Sequence, residues 1–191
     1  MIDNETALFN QVLTRIGERR ITSADDTGDS ATTLRDEYPQ AVDQLLAEYP
    51  WICATRRAAL AQKVGDNLTE YDYMFQLPTE CITVQALIDG DQGDVAEKYK
   101  REGDVLYCNI ENPIIKYTHR IGFNEMDTPV VEALVLLIAH KVAWKITQSV
   151  DIENDMYGRY ELALTKAMSL DGEERSRQDR EIDRAGSWEK D

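Results

Sequence analysis

Tyr49-Pro50-Trp51, with Leu45 and Leu46 one turn before it and Ile52-Cys53-Ala54 after it, is the stretch whose reading decides the fold. Upstream, Leu34, Tyr38, Ala41, Val42, Leu45, Leu46 and Tyr49 recur at three- and four-residue spacing, which keeps one stripe of a helix toward a core. Downstream, from Cys53 to Ile121, β-branched and aromatic residues gather in short runs divided by Gly, Asp and Asn, the texture of short strands. Pro50 cannot continue a helix, and Trp51 follows it as a large anchor for a core. The junction marks the passage from an α segment to a β segment.

Working outward, Ser30 is placed to cap the helix before the junction, and Pro39 inside it is expected to bend it. Asn4 caps an earlier helix carrying Leu8, Val12, Leu13 and Ile16 on one face, and Gly17 closes it; Glu18 to Asp29 is a loop. The expected strands are Ala54–Leu60, Tyr71–Gln76, Cys81–Ile88, Glu97–Arg101, Val105–Cys108 and Ile114–Ile121. Glu102-Gly103-Asp104 predicts a tight hairpin, because Gly supplies the positive φ such turns need. Thr128-Pro129 starts a helix that runs to about Val150 and is apolar almost all round between Val135 and Ala143. Asp151 caps a fourth helix with Met156, Tyr160, Leu164 and Ala167 or Met168 inward. Residues 171–191 hold many charges and few apolar groups, notably Ile182, Ala185 and Trp188, too little to fold alone.

The expected fold class is therefore α+β: a bundle of about four helices with an inserted small antiparallel β-sheet and an extended C-terminal arm. One domain is expected over 1–170, helical at 4–50 and 128–170 and β-rich at 53–121, followed by a flexible arm at 171–191.

The chain has 191 residues, 42% hydrophobic and 30% charged, which suits a globular domain and excludes wholesale disorder. Against 36 Asp and Glu stand 21 Lys and Arg, a formal net charge of −15, so the average surface repels phosphate backbones and anionic lipid headgroups. Neither nucleic acid nor a membrane is an expected ligand. Cys53, Cys81 and Cys108 lack C-x-x-C spacing and read as reduced, buried residues. Met1-Ile2-Asp3-Asn4-Glu5 carries no basic or apolar leader region, so synthesis in a reducing cytoplasm is expected. The most apolar run, Ala133 to Ala139, falls well short of a bilayer span.

No catalytic constellation emerges. His119 and His140 sit in no metal-binding spacing, so neither a metal nor a cofactor is expected. Asp25, Asp26 and Asp29 cluster in the first loop, where a glycosidase would need two of them held at fixed separation, but no sugar platform accompanies them. Nucleophile elbows, reactive-cysteine signatures and phosphate-cradling glycine loops are absent. Arg56-Arg57, followed by Lys63, could be argued as a nucleic-acid contact, but adjacent arginines on a strand usually face solvent or pair with local acids; in a ring, Arg56 and Arg57 are candidates for inter-subunit contacts to a neighbour's carboxylates.

Three segments together resemble the head-to-tail adaptor of short-tailed bacteriophages, the tail tubular protein A family. They are Asp29 to Leu60, with Trp51 at its turn; Tyr71 to Val84, with Tyr73 and the Leu77-Pro78 step; and Tyr117 to Ala167. The resemblance implies a structural protein of the virion and not an enzyme, forming a homo-oligomeric ring of twelve subunits beneath the portal protein. The helical part would face the portal and the β part the tail nozzle, tail tubular protein B, around a channel through which DNA passes without specific binding. Trp51, Tyr73, Leu77 and Pro78 would be structural anchors, and Ile182, Ser187 and Trp188 of the arm would dock on the portal. After Ser187-Trp188 the chain continues Glu189-Lys190-Asp191, where tail tubular relatives have a basic ending. Two other functions compete. One is a tail-associated polysaccharide hydrolase, with loop and sheet carboxylates in a shared cleft; the other is a head-completion adaptor of a long-tailed phage.

Overall fold

The computed structural model describes residues 4–187 apart from 92, 94, 96 and 97; the side chains of 179 and 181–187 lie outside that description. The elements are α1 (Glu5–Arg15), α2 (Asp29–Glu48), β1 (Thr55–Ala59), β2 (Tyr73–Gln76), β3 (Cys81–Asp89), β4 (Lys100–Glu102), β5 (Val105–Cys108), β6 (Pro113–His119), α3 (Thr128–Thr147) and α4 (Val150–Ser187). A 3-10 turn, Phe123–Glu125, leads into α3. The α+β class with four helices is as expected. Where a single domain was expected, the chain forms two compact units, residues 1–45, 51–53 and 121–191, and residues 46–50 and 54–120. The division follows from two separate cores, one built around α3 and one between the strands.

In the helical unit α3 buries ten residues, among them Val130, Leu134, Val135, Ile138 and Val142, around nearly its whole circumference. A helix with no polar face has to be sheathed by its neighbours. Leu8, Phe9, Val12 and Leu13 of α1, Leu34 and Leu45 of α2, and Met156, Tyr160 and Ala167 of α4 are buried too. Phe9, Tyr38 and Phe123 meet edge to face in succession, with centroids 5.9 and 6.4 Å apart. That geometry adds to the stabilisation from burial alone.

Local chemistry sets the helix ends. Gly17, at φ +78°, closes α1 with two bonds, Gly17 N to the Thr14 carbonyl and Glu18 N to the Leu13 carbonyl, the pattern a left-handed glycine permits. The α2 helix begins at Asp29, one residue ahead of the expected Ser30 cap, because the Gly28 carbonyl already accepts from Thr32 N. It continues through Pro39, whose ring leaves one backbone bond unmade. Ser149, not Asp151, caps α4: its hydroxyl accepts from Ile152 N at 3.4 Å and its carbonyl from Glu153 N at 3.3 Å. Asp151 instead stands in the first turn, where a carboxylate suits the helix dipole.

The strands form two three-stranded antiparallel sheets, ordered β1-β6-β3 and β2-β5-β4, where one sheet was expected. Periodicity shows which residues are strands but not which strand pairs with which, so one sheet and two look alike in sequence. The sheets bury a common core of Phe75, Leu77, Leu87, Leu106, Ile115 and Tyr117. The β4–β5 hairpin turns through Gly103 at φ +59° and Asp104, as Glu102-Gly103-Asp104 predicts.

Trp51 is fully buried in the helical unit, and its indole Nε1 donates to the Leu45 carbonyl at 2.8 Å. Trp51→Ala is expected to cost about 3–5 kcal/mol through the cavity it leaves. Trp51→Phe, which keeps most of the burial but strands the Leu45 carbonyl, should cost about 1–3 kcal/mol. Denaturant unfolding midpoints of the two variants check the order.

Candidate functional site

In the helical unit, Ile52, Pro129, Val130, Ala167 and Leu170 line an open cleft of about 580 Å³, with Asp171, Glu174 and Arg177 along α4. Asp171 is buried although ionisable, and its geometry explains why. One carboxylate oxygen accepts from Ile52 N at 2.8 Å and the other from the Arg175 guanidinium at 3.0 Å. A buried carboxylate is tolerated only when its lone pairs are satisfied, and here it clasps the Trp51-Ile52 segment onto α4.

The expected extended, flexible arm from 171 onward is therefore revised as far as Ser187. Asp171 belongs to the packed helix, and α4 continues without a break to Ser187. The apolar stripe does end near Ala167, but side-chain pairs one turn apart sustain the helix. They include Asp171–Arg175, Glu174–Arg177 and the bond from Gln178 to Glu174. Ile182 and Ser187 lie on this distal stretch, with their side chains outside the description, and Trp188 lies outside the described residues.

Arg56 and Arg57 are both exposed on β1, but successive strand residues point to opposite faces, so they do not act together. Arg56 opposes Tyr117 on the core side, whereas Arg57 opposes Lys116 on the outer face of β1-β6-β3. Two bulges in β3 bring Gln85 onto that face, where its Nε2 donates to the hydroxyls of Thr55 at 3.2 Å and Thr118 at 3.0 Å. Tyr73, Leu77 and Pro78 brace the β unit. Tyr73 packs on its core, Leu77 is buried and donates its N–H to the Asp104 carbonyl, and the Pro78 carbonyl accepts from Cys81 N. Gln76 fastens the same corner, its Nε2 donating to the Asp104 carboxylate at 2.8 Å. That bond, before any other cause, holds the Asp104 carboxyl below the usual range.

The first-loop carboxylates form no common cleft wall. Asp26 accepts from the Thr22 hydroxyl at 2.9 Å, from Thr22 N at 3.1 Å and from Ser23 N at 3.2 Å, so its charge is spent on holding the loop. These bonds, the Thr22 hydroxyl foremost, hold its carboxyl below the ordinary carboxylate range. Asn10, itself buried, pins the other side of the loop by exchanging two side-chain bonds with the Ile21 backbone. His140 Nδ1 lies 3.2 Å from the Glu153 carbonyl and its ring 5.1 Å from Tyr157, a packing role at the α3–α4 hairpin. His119 stands edge-on to Tyr117 on β6. The cysteines are free; Cys108 is buried, but Cys53 and Cys81 are only half-buried, unlike the expectation for all three. Burial pushes the Cys81 and Cys108 thiols up, away from reactivity.

Among the described residues no group of three or more His, Cys, Asp or Glu could hold a metal ion, and no helix is long and apolar enough to cross a membrane. No protein-family model matches the chain, and no curated protein is significantly similar to it.

Asp171 and Lys116 are the two groups that reading the sequence did not single out. The Asp-x-x-x-Arg spacing of Asp171 and Arg175 signals a helix pair, but only the fold shows that the carboxylate is buried against Ile52. Lys116 interrupts an apolar strand, a visible oddity whose neighbour Arg57 is fixed by pairing alone.

Asp171→Ala strands the Ile52 N–H and should cost about 1–3 kcal/mol. A chain ending at Leu170 should lose about as much and one ending at Gln178 very little, read as shifts in unfolding midpoint. Asp26, with its folded value depressed, contributes stability that is present above its unfolded value and lost as pH falls through the folded one. Asp26→Asn should therefore flatten the fall in melting temperature below about pH 4.

Proposed function

We propose that the chain is a structural ring subunit that joins a phage portal to the tail nozzle as a head-to-tail adaptor, surrounding a DNA channel and performing no catalysis. The observation that carries this reading is α4, 38 residues long and so about 57 Å. Asp171 is buried, and the described side chains of 172–180 beyond it are exposed or half-buried, so the helix runs on past the residues that pack it. A rod that leaves its own core presents surface to a partner, which suits an arm docking on a portal through Ile182, Ser187 and Trp188. The order of helices, a β unit and further helices is the order the adaptor resemblance implies, with α4 running on where an extended arm was expected.

The β unit is the part assigned to the nozzle, tail tubular protein B, in this reading. The net charge of −15 favours a channel along which DNA slides without being held. The hydrolase alternative loses ground because Asp26, one of its carboxylates, is committed to three hydrogen bonds inside the loop. On this reading the protein is synthesised in the host cytoplasm and resides in the virion.

Electron microscopy of the full chain mixed with its cognate portal protein tests the proposal. A ring stacked coaxially on the portal is expected, and a chain ending at Gln178 should dock at least tenfold more weakly while melting like the full chain. If no portal complex forms at concentrations of tens of micromolar, the adaptor reading fails.

A further inference from the structure

The outer face of β1-β6-β3 carries Arg57 directly opposite Lys116. Residues facing each other on neighbouring antiparallel strands hold their Cβ atoms about 4.5–5.5 Å apart, and like charges so placed destabilise the sheet. Such a pair is ordinarily relieved by a carboxylate nearby. None of the ion pairs among the described residues includes either cation, whereas Arg15, Lys100, Lys145, Arg159, Arg175 and Arg177 each hold one. The chain has 36 acids for 21 bases, so carboxylates are not scarce.

The cross-strand neighbours of the pair are small or apolar. Ala86 follows Lys116 across the sheet, and Ala59 lies two residues beyond Arg57 with Ile114 opposite it. At the other end Gln85 ties down the Thr55 and Thr118 hydroxyls. The result is a small platform of short and apolar side chains centred on two cations, Arg57 exposed and Lys116 half-buried.

We infer that this face is a subunit contact, in which Arg57 and Lys116 receive carboxylates from a second copy of the chain. Charge complementarity selects the occupant locally: two copies of net −15 repel overall, but the patch carries two cations without a carboxylate, and another copy offers 36 acids against 21 bases to fill it. A duplex nucleic acid would be attracted to the same pair, but its phosphate charge, one per roughly 1.7 Å of axis, is far denser and is repelled more strongly by the rest of the surface. The inference rests on the ring reading and specifies which sheet face closes the ring.

The test uses the full chain, alone and with portal protein, as equal parts of unlabelled and ¹⁵N-labelled material. Carbodiimide treatment is expected to join Lys116 to a carboxylate of the other isotopic copy, seen as mixed-isotope peptides by mass spectrometry. Arg57→Gln with Lys116→Gln should weaken self-association at least tenfold in sedimentation velocity. Lys116→Glu, which places an acid opposite Arg57, should raise the melting temperature of the isolated chain while weakening assembly, an outcome that misfolding cannot mimic.

If both variants assemble like the wild type on the portal, the contact is wrong and the adaptor reading survives. If the wild type neither self-associates nor forms rings on the portal, both readings fall. Loss of binding to a short DNA duplex in the variants, with assembly unchanged, overturns the inference in favour of nucleic acid.

Discussion

The burial of α3 is the constraint on which the helical unit depends. Val130, Ala133, Val135, Leu136 and Ile138 occupy different sides of one helix and are all buried. No orientation of such a helix can turn a polar face to water, so α1, α2 and α4 have to surround it. Each fully buried Leu or Ile is worth about 1.5–3 kcal/mol, whereas exposed pairs such as Arg15–Glu132 and Lys145–Glu37 are worth at most about 1 kcal/mol. Apolar burial sets the arrangement, and the ion pairs trim its surface.

The β unit meets the same requirement differently. Each three-stranded sheet supplies one wall of a shared core through Phe75, Leu106, Leu87 and Ile115. Because that core consumes one face of β1-β6-β3, Arg57 and Lys116 fall on the opposite face, among Ala59, Ala86 and Ile114. The position of Lys116 and Arg57 there is thus a consequence of strand alternation once the core has been assigned.

A polar contact decides where packing ends along α4. Asp171 is an acid at a position that would otherwise close the apolar stripe, and its two partners, Ile52 N and Arg175, keep it inside. Beyond it the helix depends on pairs between its own turns, each worth only about 0.2–0.5 kcal/mol. Such a segment retains helical form at little cost and remains available to a partner, which is the property the adaptor proposal uses.

Much of this was legible in the sequence, because much of it is local. The Gly17 cap, the Thr128-Pro129 helix start, the Gly103 hairpin and the strand Val105–Cys108 depend on residues within a few positions of one another, and each is found where the pattern predicts. The short β-branched and aromatic runs divided by Gly, Asp and Asn after Cys53 likewise announced the β segment. Pairing across the chain was not legible. Two sheets in place of one, Lys116 beside Arg57, and Asp171 clasped to Ile52 join residues tens of positions apart, and nothing in strand or helix periodicity encodes which distant partner is met. The sequence by itself determined the elements, their order and the acidic surface, since propensity, capping and charge act over short range. Only the tertiary structure decided which cations lost their partners and which acid was buried, because those depend on what long-range packing brings into contact.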